Sequence, residues 1–85
     1  MGLELESNNL TGTIPPEIGY LGPLYIRLSD NQLSGSIPPE IANNSGLGNL
    51  DLSFNQLSGT IPKEIWNLKY LSLLVLSSNQ LSGSI

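Results

Sequence analysis

Asparagine returns at a nearly fixed interval along this chain. Asn8, Asn31, Asn55 and Asn79 stand 23, 24 and 24 residues apart. Each sits in the same surroundings, most fully in Leu50-Asp51-Leu52-Ser53-Phe54-Asn55-Gln56-Leu57-Ser58-Gly59-Thr60-Ile61-Pro62. The other copies run from Leu3 to Pro15, from Ile26 to Pro38 and from Leu74 to Ile85. Such a period constrains the fold before any single residue does. One short unit cannot bury its own apolar side, so successive units must stack and share a core.

Ahead of each Asn, leucine or isoleucine alternates with another residue, the period-2 sign of a half-buried strand. Strands are therefore expected near 3–5, 26–28, 50–52 and 74–76, with their leucines and Ile26 inward. Their alternating neighbours must point outward. The glycine of each L-S/T-G-x-I step permits a bend. Proline after the isoleucine cannot donate to a sheet ladder, so the chain leaves there. A short helical or 3₁₀ turn is expected next. In the first copy, Ile18 and Leu21 are three apart and both face inward if that turn is 3₁₀.

The full pattern, L-x-L-x-x-N-x-L-S/T-G-x-I-P, resembles the plant-type leucine-rich repeat. The resemblance covers essentially the whole chain, with the extension after Asn present four times in register. It implies an α/β leucine-rich-repeat solenoid. Four short parallel strands would line the concave face, short second strands would run beside them, and 3₁₀ or helical turns would form the convex side. The repeats fall at about 1–23, 24–47, 48–71 and a partial 72–85. They form a single array, uncapped at both ends and expected to be excised from a longer one. Two departures stand out. A residue is missing around Leu21-Gly22-Pro23-Leu24, expected in the turn entering the second strand. Asn44 takes the inward place that Leu21 and Leu68 hold, and is read as a locally polar turn.

Charge and composition narrow the function. The net charge is −4, and the basic residues are only Arg27, Lys63 and Lys69, dispersed along the chain. That excludes the basic footprint needed for nucleic acid, and it disfavours an anionic membrane surface. No apolar run approaches the roughly 20 residues of a membrane span. Met1-Gly2 leads directly into the first strand without a signal-peptide pattern. Glu6 stands where a myristoylation motif requires Ser or Thr. There is no cysteine, hence no disulfide framework and no thiolate metal site, and no cofactor is implied. With no His or Cys, nothing is placed to activate a serine, so the chain is not expected to be an enzyme. Glu17, Glu40 and Glu64 form an acidic column. They read as solvated acids near the N-termini of short turns, where negative charge is stabilised.

Two sets of residues remain. Asn8, Asn31, Asn55 and Asn79 read as a structural ladder, expected to be buried and hydrogen-bonded. An amide can both donate and accept, as unpaired loop backbone requires. The outward strand positions read as the ligand-binding surface. One column is Glu4, Arg27, Asp51, Val75. Glu6, Ser29, Ser53 and Ser77 run beside it, and the flanking columns are Gly2, Tyr25, Asn49, Leu73 and Ser7, Asp30, Phe54, Ser78. From these, Tyr25, Arg27, Asn49, Asp51, Phe54, Leu73 and Val75 are the binding candidates, since exposed aromatic and aliphatic groups favour contact. Arg27, between Glu4 and Asp51 on neighbouring strands, is expected to make a lateral ion pair. Two sequons, Asn9-Leu10-Thr11 and Asn43-Asn44-Ser45, make Asn9 and Asn43 glycosylation candidates if the chain is secreted.

The resemblance implies non-catalytic recognition of a protein or peptide through the concave face. It looks like part of the extracellular ligand-sensing domain of a plant receptor-like kinase or receptor-like protein. Any kinase would lie outside these residues, and neighbouring repeats of a longer array would be the other partners. The location implied is the extracellular face of the plasma membrane, or secretion. Two alternatives stay open: structural spacer repeats, and an inhibitor of a secreted cell-wall-degrading enzyme.

Overall fold

A computed structural model describes residues 2–20, 22 and 25–82. Among these, β1 (Gly2–Glu4), β3 (Tyr25–Arg27), β5 (Asn49–Asp51) and β7 (Leu73–Val75) form one parallel sheet in that order. β2 (Thr11–Thr13), β4 (Gln32–Gly35), β6 (Gln56–Thr60) and β8 (Gln80–Ser82) form a second. Turns of 3₁₀ helix at Pro16–Tyr20, Pro39–Asn43 and Lys63–Asn67 complete the circuit. Strands of the first sheet begin and end one residue earlier than the alternation predicts. The ladder nevertheless continues past their ends. The N–H groups of Leu5, Leu28 and Leu52 donate to the carbonyls of Arg27, Asp51 and Val75, each at 2.9 Å.

The two sheets differ in register. In the first, Gly2 faces Tyr25, Tyr25 faces Asn49 and Asn49 faces Leu73, offsets of 23, 24 and 24 that equal the repeat. In the second, Thr11 faces Gln32, Ser34 faces Gln56 and Ser58 faces Gln80, offsets of 21, 22 and 22. A shift of two residues keeps every side chain on its own face. It also sets each glycine beside the inward leucine of the next repeat: Gly12 by Leu33, Gly35 by Leu57, Gly59 by Leu81. Gly35 has φ +77°, and a Cβ there would come within 2.9 Å of the Thr13 methyl. Only glycine meets both conditions without strain.

The core sits between the sheets and the 3₁₀ turns. Ile26, Leu28, Leu33, Ile37, Ile41, Leu47, Leu50, Leu52, Leu57 and Ile65 are buried, with Ile14 and Ile18. Leu3 and Leu10 at one end, and Leu74, Leu76 and Leu81 at the other, are half-buried against it. Leu5, expected inward, is 38% exposed. It lines the inward groove with Leu28 and Leu33, but β1 is the edge of its sheet, so among the described residues no repeat covers it on the side away from β3.

The first two 3₁₀ turns pack more closely than the second pair. Gly19 explains this, because a Cβ there would overlap the Glu40 carbonyl oxygen. Its equivalents are the larger Ala42 and Trp66. The missing residue expected at 21–24 lies where only Gly22 is described, and Leu21 and the end of the last copy, 83–85, are outside the described residues. Asn44 is buried. Its N–H donates to the Ile41 carbonyl at 3.4 Å, and its carbonyl accepts from Leu47 at 3.1 Å, so a polar turn fills this leucine position.

Candidate ligand-binding face

Three asparagines tie each repeat to the one before. Asn55 Nδ2 donates to the carbonyls of Leu28, Leu52 and Ser53, each at 3.0 Å, while its Oδ1 accepts from the Leu33 N–H at 3.1 Å. Asn31 does the same with the carbonyls of Leu5, Leu28 and Ser29, and accepts from the N–H groups of Asn8 and Leu10. Asn79 repeats the scheme on Leu52, Leu76, Ser77 and Leu57. Asn31 and Asn55 are buried and Asn79 is half-buried. Asn8 corrects the expectation. It is exposed, and its amide donates to the Glu6 carbonyl at 2.9 Å within its own turn. The inter-repeat ladder bond needs the strand of a neighbouring repeat on that side, and among the described residues none packs against Asn8 there.

The residue before each ladder asparagine carries a feature that sequence reasoning missed. Ser7, Asp30, Phe54 and Ser78 all have left-handed backbone, with φ of 57°, 57°, 55° and 58°. This bend takes the chain off the strand. The N–H groups of Ser7, Asp30 and Phe54 still reach the carbonyls of Ser29, Ser53 and Ser77, at 3.1, 3.0 and 3.1 Å. Asp tolerates this conformation, whereas a bulky aromatic there is an outlier. Phe54 is also 61% exposed. The bend recurs in all four repeats and belongs to the repeat itself, so what sets Phe54 apart is a large apolar ring left exposed there. Asp30 carried the only sequence signal, and its neighbours in the column hid it.

On the outward face, β1 and β3 carry a self-satisfied cluster. The Tyr25 ring lies over Gly2, where a Cβ would overlap it. The Arg27 guanidinium stands 4.6 Å from that ring's centre, with Nη1 3.3 Å from Glu4 Oε2. The Tyr25 hydroxyl donates to Glu4 Oε1 at 3.4 Å. Arg27 thus pairs on one side. Asp51 is instead engaged by Ser53, whose N–H and hydroxyl donate to Oδ1 at 3.0 and 2.7 Å. Ser53 is itself buried despite its outward position.

β5 and β7 present the less satisfied half. Leu73 is 46% exposed, and Val75, opposite Asp51, is half-buried. Asn49 lies in register between Tyr25 and Leu73. Its Oδ1 is buried with no hydrogen-bond partner. A buried acceptor left unpaired is costly, and such groups call for a functional or structural reason.

The most apolar groove lies elsewhere. It encloses about 340 Å³ and is lined by Leu3, Leu5, Leu10, Ile14, Ile18 and Leu33, among others. Most of these are inward positions of the repeat. The groove is the stacking face of the solenoid, so it does not compete as a ligand site. Among the described residues, no group of three His, Cys, Asp or Glu side chains could hold a metal ion. None of their helices is long and apolar enough to cross a membrane. Asn9 and Asn43 are both exposed, outside the first sheet.

Strand, asparagine turn, second strand and 3₁₀ turn, stacked by a shared ladder, define a leucine-rich-repeat solenoid. The Leucine Rich Repeat model matches residues 2–21, 24–44 and 46–68, and the chain belongs to this family. Its structural relatives include ectodomains of plant receptor kinases and a plant ice-binding protein, the latter 40% identical with a TM-score of 0.89 over 94% of this chain and 26% of that one. A chain of the BIR3–SERK2 complex of Arabidopsis thaliana is 42% identical, with a TM-score of 0.94 over 98% of this chain and 45% of that one. The leucine-rich-repeat ectodomain of the receptor kinase SOBIR1, from the same plant, is 44% identical, with a TM-score of 0.93 over 98% and 46%. The Arabidopsis receptor kinase HAESA, in complex with the peptide hormone IDA and the co-receptor SERK1, gives 44% identity and a TM-score of 0.92 over 98% and 14%. The chain therefore spans less than half the length of these relatives. Comparison with curated protein sequences gives no match.

Proposed function

We propose that these repeats are a recognition module for a peptide or protein, part of the extracellular ligand-sensing array of a plant receptor kinase or receptor-like protein. The observation that carries this is the outward face of β5 and β7. There Phe54, beyond the end of β5, and Leu73, on β7, are large apolar side chains left exposed. Relatives described in complex with a peptide hormone and a co-receptor, or as a complex of two proteins, support the reading. None of the four relatives is described as a spacer or an enzyme inhibitor.

The outward columns offer fewer positions than the roughly 20–30 residues per side of a standard interface. Tight binding therefore needs a longer array. The test is an alanine scan of this face in the parent receptor, read against its ligand. Phe54→Ala and Leu73→Ala should weaken binding more than Ser29→Ala or Ser77→Ala, because aromatic and buried apolar anchors dominate interface energy. If all four are silent while changes in other repeats abolish binding, these repeats are spacer.

A further inference from the structure

The same face is uneven in charge, and the unevenness specifies a ligand chemistry. Four carboxylates, Glu4, Glu6, Asp30 and Asp51, lie on or just beyond its strands, against one cation, Arg27. That cation is engaged by Glu4 and stacked on Tyr25. Lys63 opens the third 3₁₀ turn and Lys69 follows it, away from this face. Asp30 Oδ2 accepts from the Ser7 hydroxyl at 2.8 Å. Asp51 differs from the others in its setting. Ser53 occupies Oδ1 and holds the carboxylate in place, and Oδ2 has no partner among the described residues. Val75 lies directly opposite, Leu73 is in the adjacent column of the same strand, and Phe54 follows three residues on. A carboxylate bordered by apolar groups attracts a cation more strongly as water is excluded. The methylene stems of Arg and Lys also cover apolar surface.

We propose that β5 and β7 form a subsite for an extended peptide segment with a basic side chain two residues from an apolar one. This rests on the recognition reading above and names its ligand class. The base meets Asp51, and the apolar group lies on Val75 and Leu73. Alternate side chains of an extended chain lie roughly 7 Å apart on one face, which spans the one to two strand spacings this requires. An acidic segment meets four carboxylates and no unengaged cation.

The experiment titrates the ¹⁵N-labelled chain with three capped pentapeptides, followed by amide chemical shifts. One carries arginine and leucine separated by a single glycine. The second has glutamate for the arginine, and the third has serine for the leucine. The arginine–leucine peptide should shift the amides of Asp51, Phe54 and Val75, bind about fivefold more tightly than the glutamate control, the scale of one surface charge pair, and bind more tightly than the serine control, which lacks the apolar group. Added salt should erode the preference. Asp51→Asn, which keeps an acceptor for Ser53, should abolish the discrimination between arginine and glutamate. Glu64→Gln on the 3₁₀ side should leave it intact. Equal shifts from the glutamate peptide at the same amides would overturn the charge assignment and leave the face as a recognition surface. Shifts confined to the 3₁₀ side would overturn both. Silence from all three peptides at millimolar concentration would overturn the subsite.

Discussion

Asn55 uses one side chain to satisfy three carbonyls and an N–H from two repeats. Removing it orphans several buried backbone groups at once. Asn55→Ala should cost about 1–3 kcal/mol in urea unfolding. Asn8→Ala should lie close to wild type, since that amide is exposed and meets only its own turn. Equal losses at the two positions would contradict the ladder assignment. Phe54 makes the opposite trade. A left-handed backbone costs an L-residue roughly 1–2 kcal/mol, and Asn bears it more easily. Phe54→Asn should therefore raise the unfolding midpoint while weakening ligand binding by the parent array. A variant that loses both stability and binding would show that the ring packs the fold instead of serving recognition.

Among the elements, the 3₁₀ turns show most clearly where two repeats press together. Gly19→Ala places a methyl against a backbone carbonyl that cannot rotate away. Overpacking of this kind costs about 1–3 kcal/mol, and thermal unfolding of the variant should show it. An unchanged midpoint would mean that the first turn moves freely on the second. The strands and their facing were legible in the sequence because the period-2 alternation of Leu50, Asp51 and Leu52 has one register that buries leucine. Other features were not legible. Asn8 and Asn55 occupy the same motif, yet burial depends on a neighbouring repeat that the motif does not contain. Arg27 had two carboxylates within reach, and a local contact from Ser53 removed one. The left-handed column runs Ser, Asp, Phe, Ser, and only Asp advertises the conformation. The unpaired Asn49 acceptor depends on side-chain packing around it, which no spacing encodes.

At the scale of the whole molecule, stability is a sum over neighbouring repeats, so position in the stack sets the cost of a substitution. Leu52 is fully buried between two repeats, whereas Leu5 is 38% exposed. Leu52→Ala should cost about 2–5 kcal/mol, as buried leucines do, and Leu5→Ala should cost clearly less in the same unfolding experiment. Comparable losses would mean that the chain does not behave as a linear stack. The solenoid assigns its inward residues to that stack and leaves the outward face of β5 and β7 free to bind. Hydroxyl-radical footprinting of the parent array, with and without its ligand, reads that face directly, because the exposed reporters are oxidisable side chains. Phe54 and Leu73 stand on one side of the molecule, and Tyr20, Trp66 and Tyr70 on or beside the 3₁₀ turns. Ligand should protect Phe54 and Leu73 and leave Tyr20, Trp66 and Tyr70 as reactive as before. Protection of the three 3₁₀-side aromatics, with Phe54 and Leu73 unchanged, would contradict recognition through the concave face.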